Sequence, residues 1–83
     1  MVKYREKPIE IEAIQYLREE NISKVQDFVG EALVYNPNDN EYYIDGFGYK
    51  TKCIKGDYIE KHKSGEFYVY KKEVFEQLYE LKK

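Results

Sequence analysis

Any chemistry in this chain has to come from very few residues. Among 83 residues there is one histidine, His62, and one cysteine, Cys53. One of each cannot build a Cys/His zinc centre, and a single cysteine excludes an internal disulfide. His62 does have acidic company. If residues 58–62 and 66–70 pair as a hairpin, Glu66 lies opposite His62 and Glu60 lies two residues before it, so a carboxylate could orient the imidazole as a base. That pairing sets no nucleophilic serine or cysteine beside the histidine. Cys53 falls on another strand with Tyr49 and Thr51 on its face, and reads as a small buried hydrophobe. Glu10 and Glu12, two apart, share a strand face and could divide acid and base roles or bind a metal. No third ligand is near, and the plainer reading is a solvated strand face. Gly46-Phe47-Gly48 lacks the Gly-Lys-Ser/Thr ending and following helix of a phosphate loop, and reads as a hairpin turn. No catalytic residue, metal or cofactor is assigned on this basis, and the chain reads as a binding protein rather than an enzyme.

A basic stretch rich in tyrosine is the better clue. Lys50, Lys52, Lys55, Lys61, Lys63, Lys71 and Lys72 are interleaved with Tyr49, Tyr58, Tyr68 and Tyr70. The net charge is −2, but residues 1–48 carry −5, residues 49–72 carry +4 and residues 73–83 carry −1. Rings on a sheet face can stack bases while lysines hold phosphates, which would suit a nucleotide or a short signalling oligonucleotide. Against that reading, arginine is scarce, the chain is acidic overall and no RNA-binding signature is present. Ten tyrosines, four phenylalanines and no tryptophan are too many rings for so small a core. Several must lie at the surface, where tyrosine favours interfaces with one apolar and one wet side. The residues proposed to bind are Tyr58, His62, Tyr68, Tyr70, Lys50, Lys52 and Lys61.

The elements that must position these residues follow from patterning. Residues 8–16 read as a strand with Ile9, Ile11 and Ala13 on one face; the apolar parity then shifts to Ile14 and Tyr16, which implies a bulge or a strand covered on both faces. Asn21 is a candidate N-cap, Ile22, Val25, Phe28 and Val29 recur at helical spacing, and Gly30 suits the C-terminal cap. Residues 32–35, 42–44 and 49–54 read as strands, with turns at 36–40, Asp45-Gly46 and 55–57. Residues 58–62 and 66–70 form a hairpin around Lys63-Ser64-Gly65. Its pairing sets Glu60 opposite Tyr68 and Tyr58 opposite Tyr70 on one face, and Lys61 opposite Phe67 and Ile59 opposite Val69 on the other. The second face should meet the core, and the first should meet solvent, a partner or a second layer. Residues 73–81 fit either a second helix or a helical turn followed by a strand.

Several short motifs then occur in a specific order. Lys3-Tyr4-Arg5-Glu6-Lys7-Pro8 followed by Glu12-Ala13-Ile14-Gln15, then Gly56-Asp57-Tyr58-Ile59, Gly65-Glu66-Phe67-Tyr68, Phe75-Glu76 and Tyr79-Glu80 run from residue 3 to 80. This arrangement resembles a family of small phage and prophage proteins. The chain departs from that family at Lys55, where proline is common, and at Val69-Tyr70-Lys71-Lys72-Glu73, where the family often has P-C-K-P-D, so no role is carried over from the family's Cys-Lys pair. The resemblance implies a phage or prophage origin and an accessory role in the host cytoplasm, and it implies no activity.

The expectation is therefore a single α+β domain over residues 1–83: a mostly antiparallel sheet of five or six strands packed on one short helix, with the C-terminal tail open between a second helix and a helical turn followed by a strand. The expected core is Ile9, Ile11, Ile14, Val25, Phe28, Val29, Leu33, Ile44, Ile59, Phe67, Val69, Phe75 and Leu78. The start carries charge without an apolar run and no segment is apolar enough to span a membrane, so a cytoplasmic location is expected. So small a chain is marginally stable alone, which makes a homodimer one expected partner arrangement. A host or phage protein is the first expected partner and a nucleotide or nucleic acid the second.

Overall fold

The computed structural model describes Val2 and residues 11–79. The helical spacing of Ile22, Val25 and Val29 forms α1 (Ile22–Val29), which buries Val25 and Val29. Gly30 ends it at φ +67, a conformation glycine adopts without a Cβ penalty, with its N–H on the Gln26 carbonyl. Asn21 precedes the helix but does not cap it with its side chain. Its Nδ2 instead donates to the Gln15 carbonyl at 2.7 Å, and its Oδ1 accepts the Leu17 N–H at 3.0 Å. The residue therefore ties the first strand to the helix.

Six strands follow the sequence pattern: β1 (Glu12–Gln15), β2 (Leu33–Asn36), β3 (Glu41–Gly46), β4 (Tyr49–Lys52), β5 (Tyr58–Lys61) and β6 (Phe67–Tyr70). A second helix, α2 (Lys72–Leu78), closes the described chain. The fold is α+β and every strand pair is antiparallel. The strands make two sheets of three, in the orders β1-β5-β6 and β2-β3-β4, rather than one continuous ladder. The sheets meet where β3 packs on β6. At Gly46 a Cβ would drive into the backbone carbonyl of Phe67, so only glycine permits this approach.

That contact moves a turn. Asp45-Gly46 carries a two-residue turn signature, yet both residues are in β3, with Gly46 opposite Tyr49, and the turn falls within Gly46-Phe47-Gly48, the other stretch read as a hairpin turn. The turn is made by Phe47 and Gly48, at φ +54 and +81. Both central residues of this kind of hairpin turn need positive φ, and here phenylalanine supplies one of them.

One core joins α1 to both sheets: Tyr16, Val25, Val29, Ile44, Cys53, Ile59 and Phe67 are buried, with Ile14, Phe28, Leu33 and Val69 packed against them. Tyr16, absent from the expected core, is fully buried. The parity shift in β1 is the reason. Ile14 lies opposite Ile59 and faces the core, as does Tyr16 beyond the strand's end, while Ala13 lies opposite Glu60 on the other face. Ile11 is half-buried and Ile9 lies outside the described residues. Leu78 is 60% exposed, contrary to expectation, because the short α2 turns only its Phe75 side to the protein. Among the described residues no helix is long and apolar enough to cross a membrane.

Candidate functional site

The β5–β6 hairpin has the register read from its turn: Tyr58 opposite Tyr70, Ile59 opposite Val69, Glu60 opposite Tyr68, Lys61 opposite Phe67. Gly65 takes φ +90 at the bulge position, and His62 accepts the Gly65 N–H on its carbonyl at 2.9 Å. Alternation then gives this sheet two unlike faces. Ile59 and Phe67 enter the core. Tyr58, Glu60, Tyr68 and Tyr70 point the other way.

The aromatic face is partly roofed by α2. Phe75 stacks on Tyr58 with ring centroids 4.1 Å apart and planes 9° apart, and meets Tyr70 edge-on at 5.8 Å. The Tyr58 hydroxyl donates to Glu76 at 2.9 Å, which locks helix to sheet. Burial and this carboxylate raise the Tyr58 pKa. Tyr79, just past α2, lies 6.5 Å from Tyr70 and 4.9 Å from Phe75.

Beyond the roof the face opens into a cleft of about 940 Å³. Its rings form a chain of edge contacts: His62 to Phe47 at 5.5 Å, Phe47 to Tyr68 at 6.2 Å and Tyr68 to Tyr70 at 4.8 Å. Such offset geometries are the favourable ones for aromatic pairs. Phe47 and Tyr68 are 44% and 41% exposed, so the chain of rings presents apolar area to solvent. Phe47 reaches it from the other sheet, at the tip of the β3–β4 turn. Its left-handed backbone costs roughly 1–2 kcal/mol in an L-residue. The Glu66 carboxylate holds the strained turn in place by accepting the Phe47 N–H at 2.8 Å.

The cleft is also charged. Glu60 is buried, and Glu12 lines the wall with Lys61 and Lys63 at exposed positions. Burial pushes the Tyr70 phenol up to about 12, with the neighbouring Glu60 carboxylate the next cause.

Of the residues singled out from the sequence, His62, Tyr68, Tyr70 and Lys61 come together here. Tyr58 lies one layer in, under Phe75. Lys50 and Lys52 project from β4, opposite Asp45 and Tyr43, and do not line this cleft. Sequence reasoning missed Phe47, whose signal was a bulky residue between two glycines, and the burial of Glu60. It also missed Ser64, whose Oγ lies 3.3 Å from His62 Nδ1 inside the hairpin turn. The same Oγ accepts the Glu66 N–H at 3.3 Å, a local turn contact of a kind short hydroxyl side chains make. Cys53 is fully buried, and desolvation raises its pKa to about 12, which makes it a poor nucleophile. Glu10 lies outside the described residues. Among those described, no group of three or more His, Cys, Asp or Glu side chains is placed to hold a metal.

A smaller cleft of about 220 Å³ lies near the start of β3, beside Tyr16, Arg18 and Tyr42. Arg18 Nη1 contacts both Glu41 carboxylate oxygens there, at 3.1 and 3.3 Å, from a backbone at φ +56.

No family model, no curated protein and no solved structure matches this chain.

Proposed function

We propose that this chain is a small, non-enzymatic protein-binding module of phage or prophage type that acts on a host or phage protein in the cytoplasm, and that the aromatic cleft is its docking surface. The observation that carries this reading is the exposed chain of rings from His62 through Phe47 and Tyr68 to Tyr70. Phe47 holds a left-handed backbone, and strained residues of this kind cluster at ligand clamps. Rigid aromatic anchors at the centre of a concave patch are the groups that dominate protein interfaces. Exposed Lys61 and Lys63 rim the rings of Phe47, Tyr68 and Tyr70 and the buried Glu60, and a polar rim around aromatic anchors is the arrangement of such interfaces.

The test is a photo-reactive residue at position 47 or 68, irradiated in host and phage-infected lysates. A cross-linked polypeptide that then binds the purified chain, and loses that binding with Tyr68→Ser, is the expected result. A product of twice the chain's own mass would make a second copy the occupant. Absence of any specific product at both positions would sink the reading.

One observation favours a second reading, a nucleotide or nucleic-acid binder: Lys61, His62 and Lys63 stand in sequence along the cleft that Phe47 and Tyr68 line. It requires binding to mono-, di- or oligonucleotides that weakens steeply with salt. Titrations at two ionic strengths decide it.

A further inference from the structure

We propose that the group the cleft receives is a cation, the side chain of an arginine or lysine presented by the partner polypeptide, seated against the ring faces of Phe47, Tyr68 and Tyr70 and facing the Glu60 carboxylate. This rests on reading the cleft as a protein-docking surface. Glu60 is 8% exposed. A carboxylate so deep is costly unless a positive charge or several hydrogen bonds compensate it. Among the described residues, the ion pairs are Arg18 with Glu19 and Glu41, and Lys55 with Glu20; none involves Glu60. The Tyr70 hydroxyl hydrogen-bonds the Glu60 carboxylate, but as a neutral group it supplies no counter-charge.

The rings point to the same sign of charge. Aromatic faces carry negative potential and attract cations, best when both are partly desolvated. A cleft lined by a buried carboxylate and aromatic rings opposes an anion there. The positive groups of the cleft, Lys61 and Lys63, are exposed, where water and salt screen them. Glu12, also exposed, adds a further acidic group to the wall. Arginine fits better than lysine, because its planar guanidinium can lie on a ring while forking onto a carboxylate.

The experiment is an NMR titration of the full chain with four capped or simple probes: N-acetyl-argininamide, N-acetyl-lysinamide, N-acetyl-glutamic acid amide and inorganic phosphate. The arginine probe should shift the Tyr68 and Tyr70 ring signals saturably, the lysine probe more weakly, and the two anions should leave them in place. Glu60→Gln keeps the size and the hydrogen-bonding oxygen of the side chain but removes its charge, and should weaken the arginine response at least about tenfold. Glu12→Gln should weaken it less. Phosphate shifting the same rings, an unchanged arginine response in Glu60→Gln, or no response to either cation would overturn the inference. If Glu60→Gln cross-links to a partner through position 47 as well as the native chain does, the cation inference fails and the docking reading stands. If no partner cross-links but the arginine response depends on Glu60, the docking reading fails and the cation preference stands.

Discussion

The two faces of the sheet β1-β5-β6 are made by the same strands and obey opposite rules. On one, Ile14, Ile59, Phe67 and Val69 meet α1 and the second sheet, and Ile59 loses all contact with water. On the other, Tyr58, Glu60, Tyr68 and Tyr70 meet one short helix that covers part of the face and leaves the rest open. The first face is apolar and closed, and its energy comes from the area removed from water. The second is aromatic, polar and open. It contains a buried carboxylate, and the turn beside it has phenylalanine in a conformation suited to glycine. The difference separates what folds the chain from what is available to a partner.

That separation can be broken by substitution. The largest effect is expected from Ile59→Ala on the closed face, a loss of about 2–5 kcal/mol of stability by the cost of an unfilled core cavity, measured by urea unfolding. Next is Gly46→Ala, where the new methyl meets the Phe67 carbonyl. It should cost about 1–3 kcal/mol, as overpacking does, and should also displace Phe47 from the cleft, seen as loss of the Phe47–Tyr68 ring contact by NMR. Tyr68→Ser on the open face should change stability by about 1 kcal/mol or less, since exposed cross-strand pairs contribute that much, while removing partner binding. A larger loss of stability from Tyr68→Ser than from Ile59→Ala would abolish the distinction between the faces.

The gentlest probe is alkaline titration. One tyrosine on each side of this division, Tyr16 in the core and Tyr70 in the aromatic layer, has its pKa raised to about 12, in both cases chiefly by burial. Folded-state values above the unfolded value of about 10 mean that these phenols favour the folded state while protonated. Their contribution is complete below about pH 10 and is lost as the pH climbs towards 12. Ultraviolet titration should show late-ionising tyrosines, and Tyr70→Phe should remove one of them while leaving Tyr16 behind. Ionisation of every tyrosine near 10 in the folded chain would contradict the burial of both.

Much of this was legible in the linear pattern. The helix at 22–29 follows from spacing and its terminal glycine. The β5–β6 register follows from Lys63-Ser64-Gly65, because a short turn dictates which residues face one another. The division of that hairpin into an apolar and a tyrosine-rich face follows from period-two alternation. Asp45-Gly46 shows where local reasoning stops. Its turn signature is real, but the approach of β6 needs a glycine inside the strand, and the demand for space outranks the demand for a turn.

Local periodicity and turn chemistry, which act between residues a few positions apart, were determined by the sequence alone: the elements, their antiparallel pairing across short turns and the residues sharing each face. The division of six strands into two sheets, the burial of Tyr16 and Glu60, and the meeting of Phe47 with Tyr68 were decided by the tertiary structure. Those depend on contacts between segments far apart in the chain, where fit between surfaces rather than the preference of any short stretch determines which arrangement has the lowest free energy.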